Sequence, residues 1–307
     1  MLNAKKLDFI GKLLLLSATL LWGTSFILLK QTIDAVPMHF VIAVRFLISS
    51  FLLGLIFIKK IIKLNKKIFI HGMILGLILA LAYITQTYGL KLSTASRNAF
   101  ITSSYCIMCP FLVWALTKKR PDVYNFISTI ICLVGIGLIV LSNSKDNAGG
   151  IIWGDFLTLF GALFFALQIV FIDKFRNSGD DPIGLIFSEL LTVGVIFSFL
   201  CLIIEVPNSN SNFSLSTEQM LKILYLALGC TLLAQTFQLI GQKYVQPTQT
   251  SIILSLEAVF GVVFSVVIGE EKLSPLLIIG FVIVFIAIII SETKPNFGKL
   301  FGSKKKK

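Results

Sequence analysis

The sequence predicts an all-α membrane protein whose ten transmembrane helices form two inverted five-helix repeats. Three observations carry that expectation. First, the chain is 56% hydrophobic and only 14% charged, with a mean hydropathy of +0.92, whereas soluble domains carry roughly a quarter charged residues. Second, its apolar residues fall in runs of about 20, the length that crosses about 30 Å of hydrocarbon as helix. Third, the chain reads twice. At an offset of 152, QTYGLKLSTASRNA (86–99) falls on QLIGQKYVQPTQTS (238–251), which sets Gln86 on Gln238, Gly89 on Gly241 and Lys91 on Lys243; the same offset later sets Gly135 on Ala287. At an offset of 143, GKLLLLSATLLWGTSFILLKQ (11–31) aligns with GDFLTLFGALFFALQIVFIDK (154–174). A polar stretch around 206–217 absorbs the difference between the two offsets. Repeats of this kind build transporters, with the substrate site where the copies meet.

The spans follow in order. The first, 11–31, comes after Lys5 and Lys6; no small-residue cleavage site follows it and nine further runs do, so it reads as a retained helix rather than a signal peptide. The second, 37–58, carries Arg45, and the third, 70–91, carries Tyr83, Gln86 and Thr87 at i, i+3 and i+4 on one face. The fourth, 95–117, places Asn98, Thr102 and Tyr105 at i, i+4 and i+7. Its Pro110 removes a hydrogen bond to the Cys106 carbonyl and predicts a kink. The fifth is 124–142, where Gly135 and Gly137 read as close helix packing, as do Gly72 and Gly76 in the third.

The second half repeats the pattern. The sixth span, 153–173, sets Thr158, Phe165 and Gln168 at i, i+7 and i+10; the seventh, 183–204, holds Glu189. The eighth, 219–241, has Gln235 and Gln238 at positions symmetric with Tyr83 and Gln86. The ninth, 248–268, has Thr250, Ser255 and Glu257, and the tenth is 275–292. None of these runs alternates with the period of two that a membrane barrel requires. The domain reading is therefore 1–147 as the first repeat, 148–294 as the second and 295–307 as a basic tail.

Charge orients the spans. With the N-terminus inside, twenty of the 27 Lys and Arg lie at inner helix ends or after residue 293, which by the positive-inside rule predicts both termini in the cytoplasm. The acidic turn 269–272 and the loop 206–217 then face out. The net charge of +12 sits in short juxtamembrane loops, so its expected partner is the anionic lipid headgroup and not nucleic acid. Five spans per half is an odd number, so the halves enter the membrane in opposite senses. The Lys-, Ile- and Asn-rich composition points to a bacterium, hence to its cytoplasmic membrane.

Polar side chains inside spans are costly unless they face protein, water or ligand. The substrate-lining candidates are accordingly Trp22 and Ser25 (with Thr24 beside them), Tyr83, Gln86, Thr87, Asn98, Thr102, Tyr105, Phe165, Gln168, Gln235, Gln238 and Glu257. The blander reading of the hydroxyls and amides is interhelical bonding, and of the aromatics, packing. Glu257, near mid-span, reads as a contact for a substrate amine, a proton site, or an acid bonded between helices. Arg45 and Glu189, several residues inside their spans, read as gate residues or as anchors that snorkel to the interface. His39 and His71 sit at helix ends without metal-ligand or nucleophile spacing. Cys106 and Cys109 have metal-like spacing but no His or acid nearby, so no metal and no cofactor is expected. No Walker or Rossmann motif is present.

Four segments resemble the EamA-type permeases of the drug/metabolite transporter superfamily: LLWGTSF (20–26), Arg45 in VRFLISS (44–50), SRNAFITSSYCIMCPF (96–111) and SIILSLEAVFGVVFSVVIGEE (251–271). In the last, Ala258 stands where the family commonly has proline. The resemblance covers nearly the whole chain. It implies a secondary transporter, most commonly an exporter, of a small polar organic metabolite such as an amino acid, working by alternating access around a midplane cavity. It implies no catalytic residues. It discriminates poorly among amino acids, vitamins, purines, nucleotide sugars and drugs, and sets no oligomeric state. The alternatives are a membrane-embedded enzyme or flippase for a lipid-linked substrate, which would need a clustered acid, base or metal set, and a receptor or assembly subunit that transports nothing.

Overall fold

The computed structural model describes residues 4–118, 120, 123–141, 148–208, 213–268 and 274–293. The turn 269–272, the middle of the loop 206–217, the boundary at 147 and the tail 295–307 fall wholly or partly outside the described residues. Among those described there is no strand. The helices are α1 (Ala4–Ile33), α2 (Met38–Ile56), α3 (Ile58–Ile61), α4 (Lys66–Leu92), α5 (Ala95–Thr102), α6 (Tyr105–Thr117) and α7 (Val123–Leu141), then α8 (Ala148–Asn177), α9 (Pro182–Leu200), α10 (Thr217–Tyr225), α11 (Ala234–Gln242), α12 (Pro247–Ser255), α13 (Glu257–Val267) and α14 (Pro275–Thr293). Two π-helical segments, Cys201–Glu205 and Leu226–Leu233, end α9 and join α10 to α11.

Local chemistry sets the helix starts. Asn65 caps α4 by accepting from the Lys67 N–H, Thr94 caps α5, and Asp181 caps α9 ahead of Pro182. Ser216 and Gln219 form a reciprocal capping box on α10. Among the described residues, eight helical stretches are long and apolar enough to cross a membrane: α1, α2, α4, α5–α6, α8, α9 with its π segment, α10–α11 and α12–α13. In α7 and α14, at the fifth and tenth expected positions, the apolar stretches are shorter, Phe126–Gly135 and Ile278–Ala287. Large apolar side chains such as Phe51, Ile130, Leu202 and Val267 stand out from the bundle while Gln86, Gln168, Gln238 and Glu257 are buried in it. That inversion suits a bilayer as the surrounding solvent.

The fourth span breaks at Ser103–Ser104, a break the sequence did not announce, and Pro110 lies inside α6. The serine hydroxyls compete with the backbone ladder: Ser103 donates to the Ala99 carbonyl at 3.1 Å and Ser104 to that of Ile101 at 2.6 Å. The ninth span breaks at Leu256, with Ser255 donating to the Ile252 carbonyl at 2.7 Å. Ser103 and Ser255 are one offset apart, and Ser103 also donates to the Ser255 carbonyl at 3.2 Å. The two equivalent breaks therefore meet each other.

Glycine sets two helix crossings. A Cβ on Gly89 would lie 2.6 Å from the Gly154 carbonyl oxygen, and one on Gly11 would lie 3.0 Å from that of Gly241. The offsets exchange these pairs, Gly11 with Gly154 and Gly89 with Gly241, so α4 on α8 and α1 on α11 are the same crossing made twice. Gly72 and Gly76 likewise admit Ser188 and Thr192 of α9, the close packing expected of them.

Gly89→Ala should lower stability by about 1–3 kcal/mol, the usual cost of overpacking. Gly229→Ala, whose Cβ would meet nothing nearer than 3.5 Å, should not. Detergent melting curves check this; equal effects would remove the crossing from the account of the fold.

Candidate functional site

Six helical spans surround one central cavity of about 40 Å³. They are the first, third and fourth of one half (α1, α4, α5–α6) and the sixth, eighth and ninth of the other (α8, α11, α12–α13). The lining is built in pairs. At offset 143, Trp22, Ser25 and Phe26 of α1 match Phe165, Gln168 and Ile169 of α8. At offset 152, Tyr83 and Gln86 of α4 match Gln235 and Gln238 of α11, Thr102 matches Leu254, and Tyr105 matches Glu257. Leu29 and Leu90 complete the wall without a lining counterpart.

The polar groups are held by one another. Gln86 Nε2 donates to Thr102 Oγ1 at 3.0 Å, fixing α4 to α5. Gln238 Nε2 donates to Gln168 Oε1 at 3.3 Å, and Gln168 Nε2 donates in turn to Glu189 Oε1 at 2.6 Å. Trp22 Nε1 donates to the Cys230 carbonyl at 2.8 Å, which turns the indole against the cavity. Gln235 Oε1 and Gln238 Oε1 are buried with no hydrogen-bond partner among the described residues. Buried polar atoms are ordinarily satisfied, so these two are sites for water or ligand. The Phe165 ring lies between Tyr83, edge-on at 5.8 Å, and Tyr105 at 6.4 Å. The cavity thus offers an aromatic wall, four glutamines beside it, and one carboxylate, Glu257.

Of the side chains expected to line a path, Trp22, Ser25, Tyr83, Gln86, Thr102, Tyr105, Phe165, Gln168, Gln235, Gln238 and Glu257 converge here. Two do not. Asn98 is an interhelical tie, donating to the Gln86 carbonyl at 3.1 Å and to Thr158 Oγ1 at 2.7 Å, and Thr87 is buried away from the cavity. Thr87 fails because a helical face taken from i and i+4 is about 40° broad of the true stripe; Gln86 points in and its neighbour does not. The residues missed were apolar: Phe26, Leu29, Leu90, Ile169 and Leu254. Hydrophobicity alone cannot separate these from lipid-facing leucines, but the offset could have found Leu254 from its partner Thr102.

Arg45 and Glu189 correct the snorkelling reading. Both are fully buried. Glu189 stands behind Gln168, and Arg45 stands behind Tyr83 and Thr231. The two histidines are each paired with an acid at opposite helix ends: His39 Nδ1 with Glu205 at 2.9 Å, and His71 Nδ1 with Asp180 at 2.5 Å. Glu205 also accepts from the His39 and Phe40 N–H groups, capping α2. Among the described residues no three His, Cys, Asp or Glu gather as metal ligands would.

The EamA-like transporter family model matches residues 9–141 and, a second time, 152–293. The chain belongs to the EamA-like transporter family. Membership places it in the drug/metabolite transporter superfamily, as a multi-pass membrane protein. An uncharacterized transporter of Archaeoglobus fulgidus is 30% identical to this EamA-like protein over 88% of the chain and 82% of its own length. An uncharacterized transporter of Buchnera aphidicola is 24% identical over 76% and 77%. Mouse solute carrier family 35 member F2 is 25% identical over 62% of the chain, which spans about half of that relative (52%). A solved crystal structure at 18% identity superposes with a TM-score of 0.71 over 96% of this chain and 99% of its own, a likeness of fold.

Cysteines introduced at Ser25 and Gln238, in a background lacking the five native thiols, should react with a small permeant thiol reagent, whereas Thr87→Cys and Asn98→Cys should stay inert. Labelling of all four alike would mean that the cavity is not the solvated face.

Proposed function

We propose that this protein is a secondary transporter, working as an exporter of a small polar organic metabolite of the amino-acid kind, by alternating access between two inverted five-helix halves. The observation that carries the reading is the pairing of the cavity wall: seven pairs of repeat-equivalent residues surround one enclosed space. A binding site on a pseudo-two-fold axis presents equivalent walls to both sides of a membrane, as alternating access requires. The names of the relatives, two transporters and a solute carrier, support transport as the task. Glutamine amides and tyrosine hydroxyls would read polar groups of the cargo, Trp22 and Phe165 its apolar part, and Glu257 a cationic group.

The ends of the cavity differ in a way that suits gating. Arg97 of α5 forms a buried ion pair with Asp155 of α8, and Ser93 Oγ donates to the same carboxylate at 3.1 Å. The offsets map these three to Gln249, Lys12 and Val245, where no such lock forms; Lys12 instead pairs with Asp8 on its own helix. With both termini cytoplasmic, in a bacterial inner membrane, the locked end faces out. Opening it requires parting two charges in a low-dielectric setting, whereas across the equivalent crossing at the other end Arg176 of α8 holds only the neutral Gln242 carbonyl, at 2.6 Å. Export to the outside would be completed when cargo binding offsets that cost.

Counterflow into proteoliposomes tests the transport reading. Vesicles loaded with pooled unlabelled amino acids should accumulate a labelled member, and Gln86→Leu with Gln238→Leu should abolish uptake by protein that stays folded. Uptake from no pool of amino acids, vitamins or nucleosides by folded protein would contradict it. Separately, Asp155→Asn should cost about 3–5 kcal/mol of stability by leaving Arg97 buried without its counter-charge, and the double change with Arg97→Gln should recover most of that. A neutral Asp155→Asn would remove the lock.

A further inference from the structure

The two fully buried arginines of the described bundle are treated differently. Arg97 has Asp155. Arg45, also 0% exposed, has no carboxylate within ion-pair distance among the described residues. Its Nε donates to Thr231 Oγ1 at 2.5 Å, its Nη2 meets the Tyr83 hydroxyl at a long 3.4 Å, and its Nη1 has no partner. Two neutral hydroxyls and the faces of Phe46 and Tyr83 offset only part of the desolvation of a buried cation, which costs several kcal/mol. The helix could have avoided that cost with an apolar residue at this depth, so the cation needs a reason.

Position supplies one. The guanidinium carbon lies 5.3 Å from the centre of the Tyr83 ring and 5.5 Å from that of Phe46. Tyr83 is a wall of the central cavity. One side chain therefore separates an unpaired positive charge from the space where cargo would sit. Across the Phe165 ring lies Tyr105, with the Glu257 carboxylate beside it. The enclosed space has a cationic pole behind Tyr83 and an anionic pole at Glu257, spanned by one aromatic ring.

We propose that Arg45 is a specificity-determining residue: it supplies the counter-charge for a carboxylate of the transported molecule, which reaches the guanidinium at the Tyr83 hydroxyl, while the cargo's ammonium group faces Glu257. The inference rests on the transport reading and deepens it. Bound cargo completes an ion pair that the empty protein leaves open. A carboxylate held at the Tyr83 hydroxyl gains the attraction of the guanidinium behind it, which a carboxamide of the same shape does not.

The test compares acids with amides. Counterflow is measured for the twenty protein L-amino acids and, for each that exchanges, its α-carboxamide, in wild type, Arg45→Gln and Arg45→Lys. Wild type should favour the acid by about 10- to 100-fold in half-saturating concentration. Arg45→Gln should bring that ratio close to one by weakening the acid alone, and Arg45→Lys should restore part of it. Without cargo, Arg45→Gln should melt at or above the wild-type temperature, because an uncompensated charge has gone. An unchanged ratio in Arg45→Gln, or equal loss of acid and amide with a lower melting temperature, would make Arg45 a structural anchor and overturn the proposal. Equal exchange of acids and amides by wild type would overturn it and leave transport standing. No exchange of any acid, with no acid raising the wild-type melting temperature, would overturn both.

Discussion

A polar side chain surrounded by hydrocarbon must find a partner inside the protein, and the architecture follows from where those partners lie. Lipid-facing positions of the bundle carry Phe, Leu, Ile and Val, so the glutamines, tyrosines and single carboxylate that line the cavity must find their partners within the protein or in what it binds. Gln86 reaches Thr102, and Gln238 reaches Gln168, which reaches Glu189. These bonds brace each half from within, bonds such as Trp22 to the Cys230 carbonyl and Asn98 to Thr158 join the halves, and two buried amide oxygens are left for something that is not protein. Glycine contacts at the α4–α8 and α1–α11 crossings let the backbones approach closely enough for short amides to span the gap.

Repetition explains the shape of that interior, and departures from repetition explain its direction. Equivalent positions carry Tyr105 and Glu257, Ser25 and Gln168, Trp22 and Phe165. The frame is therefore symmetric while the chemistry is not. The same holds at the ends, where Arg97–Asp155 on one side corresponds to Gln249 and Lys12 on the other. A symmetric frame makes two opposite openings similar in energy, and a lock on one of them biases which is populated. Arg45 belongs to this pattern: it is a charge on one side of the cavity whose near-equivalent, Glu189, is already bonded.

Much of this could be read from the chain. Runs of apolar residues placed the spans, and the offsets assigned six of them to the cavity, because a polar residue within a span has few places to face. The helix breaks were harder. Pro110 draws attention as a helix breaker, yet proline is tolerated where neighbouring helices support the backbone, and the break came from two serines whose hydroxyls bond back to the chain. Arg45 and Glu189 looked like interfacial anchors because sequence gives depth along a helix but not the direction a side chain takes. Leu29 and Leu90 gave no signal, since a leucine on a cavity wall and one facing lipid are alike in sequence.

The central claim is that two inverted halves open one cavity alternately to opposite sides. Spin-label distances across equivalent crossings test it most directly. One pair is Leu92→Cys with Trp153→Cys, at the α4–α8 end; the other is Tyr244→Cys with Ile10→Cys, its offset equivalent at the α1–α11 end. In liposomes the account predicts two populations, one long at the first pair and short at the second, the other reversed, with their ratio shifted by an exchanging amino acid. Single fixed distances at both pairs, or simultaneous lengthening of both, would contradict it.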